Sequence, residues 1–310
     1  MPEPQERRFT AFVTGSPRSG TTLLENILNV HPQIAELYEP YYIWERFFSV
    51  TESDVWKSSE LTQGVKKRIQ RDYLKFRKKS NKAVVLDKTP THSFNIPVIC
   101  KVFPEARWIH ILRDGRDVTL SIRREWEKRN RMVREKNYGQ LLAKAYDMLR
   151  RQPFWSFRFM ALSHELRTNF SLSPRKYLNK SRWQGKEGWG PRFEGWQDYL
   201  EKHTPLEFNA MQWVTSVQAV RTHWQRIPQA NRLEITYENL LAEPRDTLGR
   251  VLEFLNVDAA DSDFYSNMPR IRQNNTNKWK EGFSPEEISA IRPVLSPLLG
   301  ELGYEKSVPW

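Results

Sequence analysis

The segment 13-VTGSPRSGTTLLENIL-28 sets Gly15 and Gly20 at the spacing of a phosphate-binding loop, G-x-x-x-x-G-K-[ST]. The lysine that should follow Gly20 is replaced by Thr21, with Thr22 behind it, and the cation has moved into the loop as Arg18. Successive backbone N–H groups in such a turn converge on one anion, helped by the positive end of the helix that follows. Ser19, Gly20, Thr21 and Thr22 supply the cradle and its hydroxyls, and Arg18 supplies a planar fork suited to a bridging or terminal oxyanion. A phosphate-like group is the expected ligand. A magnesium-dependent phosphotransferase would also need the missing lysine and a strand-end carboxylate, for which Asp87 at the end of 83-AVVLD-87 is the one candidate.

A second anion site is written in 109-IHILRDGRDVTLSIRRE-125, where an apolar run ends in Arg113 and a helical pattern carries Ser121 eight residues later. A fixed guanidinium and a hydroxyl near a helix start suit a dianionic phosphate. Together, P-R-S-G-T-T and R-D-G-R-D with its serine resemble the 5′-phosphosulfate and 3′-phosphate motifs of the sulfotransferases that use 3′-phosphoadenosine 5′-phosphosulfate (PAPS). The resemblance implies PAPS as donor, 3′-phosphoadenosine 5′-phosphate (PAP) as product and no metal. It implies that Arg113 and Ser121 grip the 3′-phosphate, that Tyr237 packs on adenine, and that Lys278, Trp279 and Lys280 belong to a C-terminal loop closing over the nucleotide. It covers about residues 9 to 125 and 210 to 305.

Sulfuryl transfer needs charge balance on the bridging oxygen and a base for the acceptor proton. Arg18 answers the first need, with Lys88 of D-K-T-P as a second cation. Two residues answer the second. Glu39, in 37-LYEPYYIW-44, resembles the glutamate that follows the first helix in carbohydrate and tyrosylprotein sulfotransferases. His92, in 86-LDKTPTHSF-94, stands two residues away from the K-T-H histidine of the small-molecule enzymes. The motif style is closer to the carbohydrate-type branch and favours Glu39, while the sequence leaves both open.

These groups need a frame. Runs at 9–15, 83–87, 107–113 and 232–237 read as buried strands, each next to helical sequence. The expected fold is α/β: a P-loop-like three-layer arrangement with a central parallel sheet flanked by helices, plus a mostly helical insertion. Residues 50–80 and 240–256 read as amphipathic helix. One domain spans 1–310, with its core at about 9–125 and 210–305. The insertion, about 126–209, is expected to bind the acceptor, with Arg182, Trp183, Trp189, Arg192 and Trp196 as contacts.

The chain has 310 residues, 39% hydrophobic, enough to bury a sizeable core and too apolar for a disordered tail. With 49 Lys and Arg against 37 Asp and Glu its formal charge is +12, a field that attracts anions, whether nucleotide, acidic glycan, nucleic acid or anionic lipid, without choosing among them. The basic insertion suggests an anionic or glycan-like hydroxyl acceptor, and no nucleic acid is expected. The six histidines show no metal-ligand spacing with acids or with the single cysteine, Cys100. A lone cysteine, no apolar leader and no window of about 18 apolar residues lead to the expectation of a cytoplasmic protein without a membrane span. Two rival classes remain: a small-molecule kinase using ATP and magnesium, and a non-catalytic polyanion binder. The kinase leaves R-D-G-R-D unused. The polyanion binder, whether of glycan or nucleic acid, leaves two separate phosphate motifs unexplained.

Overall fold

Strands form where β-branched and aromatic residues run together and can be covered on both faces. In the computed structural model, which describes residues 9–134, 146, 150, 151, 157, 158, 160, 183, 188–259 and 262–310, five such runs make one parallel sheet. They are β1 (Phe9–Thr14), β2 (Ile34–Tyr38), β3 (Val84–Lys88), β4 (Arg107–Leu112) and β5 (Arg232–Thr236), in the order β2-β3-β1-β4-β5. The register pairs Val13 with Lys88 on one side of β1 and with Ile109 on the other. Chain direction therefore diverges between β1 and β4, the place where open α/β sheets bind ligands beyond their carboxyl ends.

The period of two along each strand divides the core between two faces. Phe12, Leu37, Val85 and Trp108 point to one, where they pack with α2 (Tyr41–Trp44), α3 (Gln63–Ser80) and α4 (His92–Val102). Ala11, Val13, Leu86 and Ile111 point to the other, against α1 (Thr21–Leu28) and the helices Tyr237–Ala242 and Pro244–Phe254. A third apolar cluster joins α5 (Gly115–Arg134) to the helices Pro205–Trp224 and Pro285–Glu301.

The four expected strands are present, and β2 is an addition. Its five residues include Glu36, and it lies at the sheet edge, so its signal is short and broken by charge. The helix expected over 50–80 begins only at Gln63, where the Thr62 hydroxyl accepts from Val65 N and caps it. Residues 50–62 are irregular apart from the turn Ser58–Glu60. The helix expected over 240–256 is two, divided where Pro244 starts a new one. At the edges of the insertion, α5 continues past residue 126, and the helix Pro205–Trp224 packs on α4 and α5 as part of the core.

Candidate functional site

The loop after β1 closes on itself: Ser19 N donates to Ser16 O at 3.1 Å, and Ser19 Oγ donates to the same oxygen at 2.7 Å. The Ser19 hydroxyl thus shapes the turn. Arg18 adopts φ 70°, which turns its side chain out of the loop, and Gly20 adopts φ 102°. A Cβ at Gly20 would lie 2.4 Å from the Tyr237 ring, so only glycine allows this ring to close against the cradle. Gly20 caps α1 without a side-chain bond, leaving the helix N-terminus to an outside acceptor. Thr21 is buried beneath the turn and Thr22 is exposed.

Arg113 leaves the end of β4 and binds this loop from the side. Its Nη1 donates to Arg18 O at 3.0 Å and its Nη2 to Asn275 O at 2.8 Å, while its guanidinium lies 4.2 Å from the centre of the Tyr237 ring. Buried Arg113 Nε has no partner. Arg18 Nε donates to Ser121 Oγ at 3.0 Å, so the two anion motifs, 103 residues apart, meet side chain to side chain. Tyr237 is held by Asn275 Nδ2, which donates to its hydroxyl at 2.6 Å.

The C-terminal loop arrives through Asp117, which accepts from Asn277 N at 2.7 Å and Trp279 N at 3.0 Å. Burial raises the Asp117 carboxyl above its ordinary range, with Arg113 opposing that shift. Lys278 and Lys280 are exposed beside this anchor. Trp279 is not: it is buried against Arg116 and Trp310, and its ring serves packing. Its expected nucleotide contact is corrected to that of an anchor for the loop.

On the other flank of the cradle, Lys88 at the end of β3 is only 1% exposed in its side chain. Its Nζ lies 2.5 Å from Glu39 Oε1 and 3.3 Å from Glu25 Oε2. Burial opposes the ammonium charge, but Glu39 and then Glu25 hold it above its usual range. Lys88 is therefore no surface lysine. Glu39 follows β2 in the left-handed region, φ 34°, and keeps 27% of its side chain exposed, so it has one oxygen on a cation and an open side.

His92 has a different setting. It is 0% exposed, with Nε2 2.9 Å from Asp87 Oδ2 and its ring edge-on to Phe12, Trp44 and Trp56. It is enclosed in the core, with no exposed edge. Asp87 also accepts from Thr89 at Oδ1 and from Tyr73 at Oδ2. Among the described residues no group of three or more His, Cys, Asp or Glu could hold a metal ion.

In the insertion, Trp189 lies 6.0 Å from the Arg18 guanidinium, anchored by Gln212 Nε2 donating to its carbonyl at 2.9 Å. Arg192 and Trp196 are fully buried, the first paired with Asp54 at 2.8 Å and the second donating to Glu52 O at 2.7 Å. Both are corrected from acceptor contacts to supports of the loop at 50–56. Trp183 packs on Trp196, and Arg182 lies outside the described residues.

Sequence reasoning missed Glu25, Glu36, Tyr38 and Arg151. Arg151 Nη2 donates to Glu36 Oε1 at 2.8 Å and to Asn26 Oδ1 at 2.7 Å, and its guanidinium lies 3.9 Å from the Tyr38 ring centre. The usable signal was a glutamate in the apolar stripe of α1, which requires a buried partner.

A family model described as the sulfotransferase family matches residues 11–166 and 189–261. The omega-hydroxy-beta-dihydromenaquinone-9 sulfotransferase of Mycobacterium tuberculosis (strain CDC 1551 / Oshkosh) is 33% identical over 111 residues, 36% of this chain and 24% of that protein. The nodulation protein NoeE of Sinorhizobium fredii (strain NBRC 101917 / NGR234) is 28% identical over 130 residues, 37% of this chain and 31% of that one. The chain thus spans about a quarter to a third of these curated relatives. Among solved structures, the sulfotransferase domain of the Synechococcus PCC 7002 olefin synthase aligns with TM-score 0.52 and 16% identity over 97% of both chains. The sulfotransferase domain of the curacin biosynthetic pathway aligns with TM-score 0.50 and 17% identity, over 93% of this chain and 98% of that one. At these identities the two structures establish a shared fold.

Proposed function

The chain belongs to the sulfotransferase family, and from that premise we propose that it transfers the sulfuryl group of PAPS to a hydroxyl of a lipid-linked, other natural-product or carbohydrate acceptor. The observation that carries this reading is the junction of the two anion motifs through Arg18, Ser121 and Arg113. A single nucleotide with phosphates at both ends needs both motifs at once. The fit to PAPS is supported by a cradle whose Gly20 has no room for a Cβ and by the orphaned Nε of Arg113.

Ser19, Gly20, Thr21 and Thr22 would hold the 5′-phosphosulfate, while Arg113 and Ser121 would hold the 3′-phosphate. Tyr237 would face the adenine side, with Lys278 and Lys280 at the closing loop. PAPS supplies the sulfuryl group, and this chain's residues govern charge, proton and orientation. Glu39 takes the acceptor proton on its exposed side, freeing the acceptor oxygen to form the new S–O bond as the old one to phosphate breaks. Arg18 and Lys88 face the negative charge that gathers on the phosphate side, from sites whose orientation is fixed beforehand. The lipid or natural-product class of acceptor is supported by the menaquinone substrate for which the mycobacterial relative is named and by the curacin biosynthetic pathway of the structurally similar domain.

The test is a melting curve of the purified protein with PAP, with ADP plus magnesium, and alone. Ligand at about 100 times its dissociation constant stabilises a fold by roughly 2.7 kcal/mol, a shift of a few degrees. A magnesium-independent shift with PAP alone is expected, and a shift only with ADP and magnesium would instead favour the kinase.

A further inference from the structure

Glu25 has no role in the transfer described above, yet it is 0% exposed and lies 3.3 Å from the Lys88 ammonium, which also contacts Glu39. It lies on α1, one turn after Thr21, so the same helix that opens at the donor cradle reaches Lys88. The groups facing Glu25 are Lys88 from β3, Glu36 from β2, Glu39 just after β2, and Arg151 at 4.0 Å from the insertion. With Glu25 itself, the cluster holds two cations and three carboxyls. A buried cluster of that composition is neutral when one carboxyl keeps its proton, and Glu25 is the deepest of the three.

We propose that Glu25 is a positioning residue for the transfer: from the helix that begins at the donor cradle, it fixes the Lys88 ammonium against Glu39. Donor position and base orientation are then set by one rigid element. Without Glu25, Lys88 loses the carboxyl 3.3 Å from its Nζ, and its long stem is held at the transferring group by Glu39 and the Tyr38 ring. This inference rests on the sulfotransferase reading for its kinetic consequence alone, since the hold on Lys88 is a property of the folded chain.

Two measurements on Glu25→Leu and Glu25→Gln test it. The first is the ammonium signal of Lys88 in ¹⁵N-lysine-labelled protein, assigned by its loss in Lys88→Met. It should be protected in the native chain, lost to exchange in Glu25→Leu and recovered in Glu25→Gln, whose amide oxygen keeps a polar neighbour 3.3 Å from Nζ. The second is single-turnover release of sulfate from PAPS to water. Glu25→Leu should slow it about tenfold or more with PAP affinity within about twofold, and Glu25→Gln should restore most of the rate, a split that mere loss of stability would not give. If Glu25→Leu fails to fold, Glu25→Asp, which withdraws the carboxyl by one methylene, takes its place in both measurements. An unchanged ammonium signal and rate in the Leu or Asp variant would overturn the proposal. If the native chain does not bind PAP, the donor reading fails, and the ammonium signal still decides whether Glu25 holds Lys88.

Discussion

Arg18 reaches out of the loop after β1 and donates from Nε to Ser121 Oγ on α5 at 3.0 Å. The contact joins the group expected at the transferring sulfuryl to one expected at the 3′-phosphate, so neither end of the nucleotide site is independent of the other. A neutral hydrogen bond contributes about 0.5–1.5 kcal/mol and a charged one about 1.5–3. Ser121→Ala should weaken PAP binding by about 2- to 10-fold and Arg18→Ala by about 10- to 100-fold, read by titration calorimetry. Equal affinities for all three proteins would remove Arg18 and Ser121 from the donor site.

Arg113 distinguishes one nucleotide from another. With a free Nε beside two bonded Nη atoms, it offers a fixed charge to a 3′-phosphate. Arg113→Ala should lower affinity for PAP at least about tenfold while affinity for adenosine 5′-phosphate changes far less. Parallel losses for both nucleotides would show that Arg113 supports the loop without reading the 3′-phosphate.

The two candidate bases make opposite predictions. Glu39→Gln should cut turnover by about 10²- to 10⁴-fold with PAP affinity kept, the usual range for a general base. His92→Ala opens a cavity among Phe12, Trp44 and Trp56 and should cost about 2–4 kcal/mol of stability, with turnover per folded molecule retained. A turnover loss in the His92 variant that exceeds its loss of folded protein would return the base to the histidine.

Gly20→Ala tests the contact between the cradle and Tyr237. The new methyl would sit 2.4 Å from the ring at a backbone φ of 102°, so strain and clash act together. A fall in melting temperature of several degrees is expected, together with weaker PAP binding. A variant as stable as the native chain would mean that Tyr237 swings away at no cost.

Burial holds the Glu25 carboxyl well above its ordinary range, with the Lys88 ammonium working against that shift. A carboxyl with a higher pKa in the folded chain than in the unfolded one binds its proton more tightly when folded. Its stabilising contribution is full below about pH 4.3 and is lost as pH rises through the folded value. Glu25→Gln carries no such proton and should gain on the native chain as pH is raised from about 4 upward, by melting curves in matched buffers. A difference that shrinks with rising pH would contradict a protonated Glu25.

The alternation of apolar runs with helical patterns specified an α/β sheet, because a parallel strand covered on both faces must be almost continuously apolar. The strand-to-helix settings of Arg18 to Thr22 and of Arg113 and Ser121 were also legible, since a tight turn with glycines and a helix start are local features that sequence spacing records. Strand β2 was hidden because an edge strand tolerates a charge in its middle, here Glu36. The different settings of Glu39, part-exposed beside Lys88, and His92, enclosed in the core, were fixed only by tertiary structure, as were the burial of Trp279, Arg192 and Trp196 and the contacts of Lys88 with Glu25 and Glu39. Local spacing carries the chemistry of neighbours along the chain, whereas burial and charge pairing depend on segments as distant as α1, β3 and Arg151 being packed together.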